Sequence, residues 1–187
     1  MNPGVDCANG AWGLTLNNMS RSALLPRLIA ALRLDLGLYE EVSADAAASA
    51  QAFRVVLLAG VSNGLGLVRR FGSTGIVAGV GAALLGWVLW AAVIWLIARL
   101  FRHQSQGRSL LRALGFANAP GVFLILGGFP TVGSLIRYAV VTWLVATTVR
   151  AVQATFGIAA RRALLISIMG FVVYLALGVV STHWASS

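Results

Sequence analysis

One uncharged apolar stretch restricts the fold of this chain more than any other feature. Residues 76–98 read IVAGVGAALLGWVLWAAVIWLIA and carry no ionisable side chain. Hydrocarbon about 30 Å thick is crossed by roughly 20 apolar helical residues that rise about 1.5 Å each. The stretch therefore predicts a transmembrane helix and excludes a soluble globular fold.

The composition of the whole chain agrees with a membrane protein. Of its 187 residues, 59% are hydrophobic and 10% are charged, against roughly 45–50% apolar and about 25% charged in soluble domains. The net charge of +9 is the balance of 14 arginines against five acidic residues. No carboxylate side chain follows Asp45. We interpret this basic charge as a signal of membrane topology, and we expect no nucleic-acid partner.

Four further apolar stretches lie between arginine clusters and predict four more spans. They cover residues 53–70, 110–128, 131–149 and 163–181. Ser43 as an N-cap and Asp45 in the first turn favour an unbroken helix from about residue 44 to residue 70, whose second half lies in lipid. The predicted fold is an all-α membrane protein with five transmembrane helices, which form a membrane domain over residues 43–187.

Three residues interrupt the apolar character of two of these spans. Asn118 and Pro120 lie in the middle of 110–128 and predict a kink, which a membrane helix tolerates when a neighbour satisfies the carbonyl that proline leaves unpaired. Arg137 lies about two turns inside 131–149, where we expect its side chain to reach towards the headgroups.

The residues before the first span divide into two parts. Residues 1–20 form a polar tail without the pattern of a cleavable signal, and Cys7 is interpreted as an ordinary thiol. Residues 21–42 predict a short amphipathic cytoplasmic helix that lies on the inner leaflet, packs against the bundle, or does both. Its apolar face is predicted from Leu25, Leu28, Leu32, Leu36 and Tyr39. Glu40 and Glu41 are expected to hold it under the bundle by pairing with inner-loop arginines such as Arg102 or Arg161.

The distribution of arginine predicts the orientation of the chain. Short cytoplasmic loops carry the excess of Lys and Arg. With the N-terminus inside, eleven arginines fall on the inner side and three on the outer side or at its margin. We therefore expect the N-terminus in the cytoplasm and the C-terminus outside.

Three stretches of the chain resemble the Yip1-domain membrane proteins of bacteria. Residues 33–45 (RLDLGLYEEVSAD) resemble the segment before the first span of that family, and residues 112–120 (RALGFANAP) its third helix with an alanine/proline kink. Residues 143–165 are similar to its fourth helix, cytoplasmic turn and fifth-helix start. The resemblance covers about residues 21–181 and implies five spans in a bacterial inner membrane. Eukaryotic relatives are associated with vesicle trafficking and prenylated GTPases, but the cytoplasmic features tied to that role are not found here, so GTPase binding is not expected.

The chemistry available in the spans argues against catalysis. After Asp45 the titratable side chains are those of His103, His183, tyrosine and arginine. No Ser/His/Asp arrangement is possible in the spans without an acid, and neither histidine has a second metal ligand at a suitable spacing. We therefore expect no enzyme, no metal site and no cofactor.

Two sets of residues are candidates for packing and binding. The small-xxx-small motifs Gly60/Gly64 and Gly75/Gly79 allow close helix approach, within one bundle or against a second copy or another subunit. The inner-side arginines are candidates for binding anionic lipid or a partner protein, or they set topology only. These arginines are Arg99, Arg102, Arg108, Arg112, Arg161 and Arg162. Trp87, Trp90 and Trp95 are interpreted as facing lipid or the bundle interior rather than a pigment or quinone.

The predicted function is non-enzymatic. The chain is expected to organise membrane, or to bind other membrane proteins, itself and anionic lipids, through its small-residue helix faces and its arginine-rich inner surface. One alternative is an accessory subunit of a respiratory, photosynthetic or transport complex. Another is a small channel or lipid carrier, with Asn63, Asn118, Pro120 and Arg137 as its polar or kinked elements.

Overall fold

The computed structural model describes residues 23–101, 107–129 and 131–172, which are helical apart from short connections. The helices are α1 (Leu24–Leu32), α2 (Leu36–Ala44), α3 (Ala48–Phe71), α4 (Thr74–Leu100), α5 (Gly107–Ala117), the 3-10 helix η1 (Ala119–Gly128), α6 (Gly133–Phe156) and α7, described over residues 160–172. The described residues contain no strand, so the predicted all-α class is confirmed for them.

Three helical segments are long and apolar enough to cross a membrane. They are Thr74–Leu100, Gly107–Gly128 and Gly133–Phe156, and they contain or overlap the predicted spans 76–98, 110–128 and 131–149. The predicted span 53–70 lies on α3, which is not one of the three. The predicted span 163–181 begins on α7 and continues beyond the described residues.

The joined segment α5–η1 is the central element of the bundle. In its most apolar window 56% of the residues are buried, against 17% for α4 and 22% for α6. The predicted kink lies at the junction, where α5 ends at Ala117 and a ten-residue 3-10 helix follows Asn118. Runs of 3-10 helix longer than three or four residues are uncommon. Pro120 at the start of η1 explains the change because it has no N–H for an α-helical hydrogen bond.

Helices α3 and α4 form a hairpin whose turn contains Gly72 at a positive φ of 63°. The two glycine motifs face each other inside this hairpin. A Cβ atom added at Gly64 would lie 2.6 Å from the Cα of Ile76, and one at Gly79 would lie 2.6 Å from the Cα of Gly64. Since real Cβ atoms do not approach that closely, the hairpin depends on the missing side chains.

The segment before α3 is two helices, so the prediction of one amphipathic helix over residues 21–42 is wrong. The helix is interrupted between α1 and α2 at Leu34, which has a positive φ of 61°. Asp35 then caps α2, because its side chain accepts a hydrogen bond from the Gly37 N–H at 3.0 Å. Leu25, expected on the buried face, is 66% exposed. Ala31 of α1 and Leu38, Tyr39 and Val42 of α2 are buried in the core, and Leu28 and Leu32 pack against it partly buried.

The prediction of an unbroken helix from residue 44 to residue 70 is also wrong. Ser43 lies in the last turn of α2, where its hydroxyl donates to the carbonyl of Glu40 at 2.9 Å. Asp45 follows α2 in an extended conformation, and its carboxylate accepts from the N–H of Ala47 at 2.9 Å. This local bond satisfies the backbone at the break, and α3 begins at Ala48.

Candidate functional site

The order of the helices brings most of the described arginines to one end of the bundle. Helices α3, α5 and α7 begin at this end, and α4 and α6 end there. We call it the basic end and define it by Arg54, Arg99, Arg108, Arg112, Arg150, Arg161 and Arg162. Arg69, Arg70 and Arg137 lie in the turns of helix at the other end.

Arg27 joins the first three helices through a partly buried cluster. Its side chain is 4% exposed, and its guanidinium donates to Glu41 Oε1 at 2.6 Å, to Asp45 Oδ2 at 2.9 Å and to Gln51 Oε1 at 2.9 Å. These contacts connect α1 to α2, to the α2–α3 junction and to α3. We call these four residues the Arg27 cluster.

The charges in this cluster stabilise one another. Burial lowers the pKa of Arg27, but the hydrogen bonds and charges of Glu41 and Asp45 outweigh that effect, and the net pKa is raised. Burial raises the pKa of Asp45, but the bond and charge of Arg27 and the N–H groups of Ala47 and Ala48 lower it by more, so its net pKa falls below the ordinary range. Arg27 and Asp45 therefore stay ionised at neutral pH.

The expected pairing of this segment with inner-loop arginines is not what the structure shows. Both ion pairs found among the described residues belong to Arg27, which pairs with Glu41 and Asp45. Arg102 lies outside the described residues, and Arg161 is exposed. The segment does dock on the bundle, because Trp143 Nε1 of α6 donates to the carbonyl of Leu32 at 3.1 Å.

Arg112 is buried and is used inside the protein. Its guanidinium donates to the carbonyls of Val42, at 3.1 Å, and of Ser43, and to Ser109 Oγ at 3.2 Å. The last carbonyls of a helix have no partner within that helix, so a cation at the end of α2 satisfies them. The structure thus separates Arg112 from the exposed arginines with which the sequence grouped it.

Five of the arginines at the basic end are exposed, and we call these five the basic rim: Arg54, Arg99, Arg108, Arg161 and Arg162. The guanidinium carbon of Arg99 lies 5.0 Å from the ring centroid of Trp95, within the range of a cation–π contact. This contact places a cation against an aromatic side chain at the end of an apolar helix. Tryptophan is enriched at membrane–water interfaces, which is where such a helix end lies.

The other candidate residues lie away from the basic rim. The Asn118 side-chain amide donates to the carbonyl of Leu114, four residues earlier, at 2.8 Å. Pro120 is buried. Arg137 lies next to Gly127, where an added Cβ would be 3.4 Å from the Arg137 Nη2 atom. No group of three or more His, Cys, Asp and Glu side chains is placed to hold a metal ion in the described ranges.

The family model of the Yip1 domain matches residues 38–181. The chain belongs to the Yip1 domain family. Together with the three apolar helices, this membership identifies a membrane protein. Comparison with curated proteins and with solved structures gives no match.

The Yip1 domain begins inside α2, later than the resemblance that starts at residue 21. Glu41, Asp45, Gln51 and Arg112 therefore lie inside the match, whereas Arg27 and the rest of α1 precede it. The sequence pattern alone assigned Arg27 no role of its own. The signal that would have identified it is proximity in sequence to the carboxylates of residues 40–45, which are three of the five acidic residues in the chain.

Proposed function

We propose that this Yip1-domain protein is a non-enzymatic multi-pass membrane protein that binds anionic lipid headgroups and partner proteins at its basic end. We assign it five transmembrane helices in a bacterial inner membrane, with the N-terminus in the cytoplasm and the C-terminus outside. The observation that carries the proposal is the exposed basic rim on the same end of the bundle where Arg27 binds two of the few carboxylates.

The five-span assignment is supported by the helix order. Helix α3 packs against α4 along the glycine hairpin, so it shares the depth of a helix that is apolar enough to span a membrane. Helix α7 starts at the basic end, opposite to the turn between η1 and α6. An excess of arginine at one end of an antiparallel bundle favours that end as the cytoplasmic one.

Binding of anionic lipid is supported by the charge balance at the basic end. Glu41 and Asp45 are occupied by Arg27, and no ion pair joins the basic rim to any described carboxylate. Each cation near an anionic membrane surface contributes about 1 kcal/mol to attraction. The basic rim therefore presents uncompensated positive charge where helices leave the bilayer.

Helix α1 supports the same placement. Its outward side carries Leu25 and Ile29, which are 66% and 43% exposed, and Arg33 follows at its C-terminal end, also exposed. An apolar side next to a basic end is typical of a helix that lies in the headgroup region. We infer that α1 inserts Leu25 and Ile29 into the inner leaflet while Arg27 holds it to the bundle.

The lipid proposal is tested by extraction in a lipid-preserving polymer, followed by mass spectrometry of the bound lipids and proteins. The chain offers two adjacent arginine pairs for a matched comparison. We expect the double variant R161Q/R162Q to lower the affinity for anionic lipid by about 30-fold, which corresponds to about 2 kcal/mol. The control R69Q/R70Q changes the same number of charges at the other end of α3 and should retain the lipid.

The outcomes separate the alternatives. Equal lipid loss from both double variants, or no anionic lipid bound to the unaltered chain, would contradict a lipid site at the basic end. A stoichiometric protein recovered with the chain would assign it as an accessory subunit of that partner's complex. Activity of a reporter fused after Ser187 in the cytoplasm would contradict the five-span orientation.

A further inference from the structure

A cavity of about 360 Å³ lies between α4, α5, α6 and α7. Trp87 and Trp90 of α4 and Phe171 of α7 form its aromatic side, and its polar lining consists of Asn118, Thr148 and Ser167. The other lining side chains are aliphatic or glycine. Since no ionisable side chain belongs to this lining, the cavity suits a neutral occupant.

Ser167 supplies a hydrogen-bonding group that has no partner in the described part of the chain. Its side chain is 3% exposed, and its Oγ is buried without a hydrogen-bond partner among the described residues. Hydroxyls on α6 are satisfied differently, because Thr142 and Thr155 donate to carbonyls one turn earlier at 2.9 and 2.8 Å. A buried hydroxyl left unpaired beside a cavity is costly unless an occupant bonds to it.

Two contacts orient the aromatic side chains that line the cavity. Trp87 Nε1 donates to the carbonyl of Leu111 at 2.9 Å, which holds the indole against α5. Trp90 contacts Phe171 edge to face, with ring centroids 6.0 Å apart. The hydrogen bond thus restricts the Trp87 ring, and the edge-to-face contact orients Trp90 and Phe171 towards each other.

The position of the cavity indicates how an occupant would arrive. Trp87 lies halfway along α4 and Leu144 halfway along α6, and both helices are apolar enough to span a membrane. Val141, Ile168 and Phe171 line the cavity and are also exposed on the side of the bundle. The cavity thus lies at the depth of the hydrocarbon core, and its opening faces lipid.

We propose that this cavity binds a neutral, lipid-soluble molecule with one aliphatic chain, whose hydroxyl or carbonyl oxygen bonds to the Ser167 hydroxyl. An apolar cavity of about 150 Å³ binds a molecule the size of benzene, and ligand pockets begin at about 300 Å³. A volume of about 360 Å³ therefore accepts part of a single chain. This site is separate from the basic rim and does not depend on the proposed function.

The test uses the full chain in nanodiscs of neutral phosphatidylcholine. The probe is hexadecanol with a photoreactive diazirine in its chain, and labelled peptides are mapped by mass spectrometry. We expect labelling of residues 82–90 and 167–171 that excess unlabelled hexadecanol competes away. The matching diazirine fatty acid, ionised at about pH 8, should label these residues at least tenfold less because the lining offers no cation.

Two glycine-to-leucine variants on α4 locate the site, and a serine variant tests its hydrogen bond. Gly86→Leu fills the cavity and should abolish competable labelling, whereas Gly81→Leu adds the same side chain on α4 at a position where a Cβ meets nothing within 4 Å and should keep it. Ser167→Ala should weaken binding of the alcohol about fivefold by removing one neutral hydrogen bond. The same change should leave folding unharmed or improved because it removes an unpaired buried hydroxyl.

The possible results decide the proposal. Competable labelling that is lost in Gly86→Leu, retained in Gly81→Leu and weakened in Ser167→Ala supports a neutral-lipid site. Labelling that excess hexadecanol does not reduce, or that is equal in both glycine variants, shows surface lipid only and overturns it. Absence of labelling in the unaltered chain, as for a cavity filled by water alone, overturns it as well. Preferential labelling by the fatty acid would also overturn it.

Discussion

The Thr147 hydroxyl of α6 lies 2.7 Å from the carbonyl oxygen of Ala117, closer than the carbonyls of Leu144 and Trp143 in its own helix, at 2.9 and 3.1 Å, so its shortest hydrogen bond is donated to Ala117. Ala117 ends α5, and Pro120, three residues later, has no N–H with which a 3-10 turn would pair that carbonyl. The N–H of Gly121 donates to Asn118 at 2.8 Å instead. A side chain of a neighbouring helix thus replaces the hydrogen bond that proline removes, which is how membrane helices tolerate proline.

This relationship predicts a specific cost for removing one hydroxyl. Thr147→Val keeps the shape of a fully buried side chain but leaves the Ala117 carbonyl without its donor, so the free energy of unfolding should fall by about 2 kcal/mol. Equilibrium unfolding in mixed micelles measures the change. Thr142→Val is the control, since Thr142 is exposed and bonds only within its own helix at 2.9 Å, and its effect should stay below about 0.5 kcal/mol. Equal effects would show that the bond to Ala117 contributes nothing specific.

The glycine hairpin predicts opposite signs for the same substitution at two positions of α4. Gly79→Ala forces a Cβ to within 2.6 Å of the Gly64 backbone, so the helices must separate and stability should fall by about 2 kcal/mol. At Gly81 nothing lies within 4 Å of an added Cβ, and Gly81→Ala should raise stability by up to about 1 kcal/mol because alanine favours the helix. Thermal unfolding of both variants provides the measurement. A loss of stability in both variants would contradict the distinction between the closely packed Gly79 and the open position at Gly81.

The features that the sequence indicates most directly carry local signals. The span at 76–98 is evident because a run without charge has few alternatives to a helix in lipid, and Pro120 breaks its helix through its own chemistry. The small-xxx-small motifs identified which helix faces approach closely, but not the helix that each face meets. That choice depends on the short turn at Gly72, which makes α3 and α4 neighbours.

The features that sequence analysis missed depend on contacts between distant residues. Leucine has no preference for the left-handed conformation that Leu34 adopts, so the break between α1 and α2 has no local signal. In the sequence, Arg112 is indistinguishable from the other inner-side arginines. It caps the Val42 carbonyl, 70 residues away, because α2 packs on α5. The cavity beside Ser167 arises from four helices and leaves no pattern in any one of them.

The Arg27 cluster predicts that one charge holds α1 to the bundle. Arg27→Gln removes the forked donors to Glu41 and Asp45 and leaves two carboxylates without their cation, so docking of α1 should weaken by about 2 kcal/mol. Hydrogen exchange of residues 24–44 should then accelerate about 30-fold, while α4 is unaffected. The control is Arg33→Gln, an exposed arginine just beyond α1. Unchanged exchange in Arg27→Gln would show that Trp143 and the α2 contacts suffice.

Acid should weaken the same cluster through Asp45. Its pKa lies below the ordinary range because the bond from Arg27 outweighs burial. A carboxyl whose pKa is lower in the folded than in the unfolded state contributes stability that is complete above its unfolded pKa and is lost as the pH falls through its folded pKa.

Thermal unfolding measured from about pH 7 to about pH 3 tests this dependence. We expect the unaltered chain to melt above Asp45→Asn at about pH 7, and the gap to close as the pH falls below about 4, because the protonated acid then resembles the amide. Glu40→Gln removes an exposed carboxylate outside the cluster and should shift the melting temperature little at any of these pH values. A gap for Asp45→Asn that stays constant down to about pH 3 would contradict a contribution of the Asp45 charge to stability.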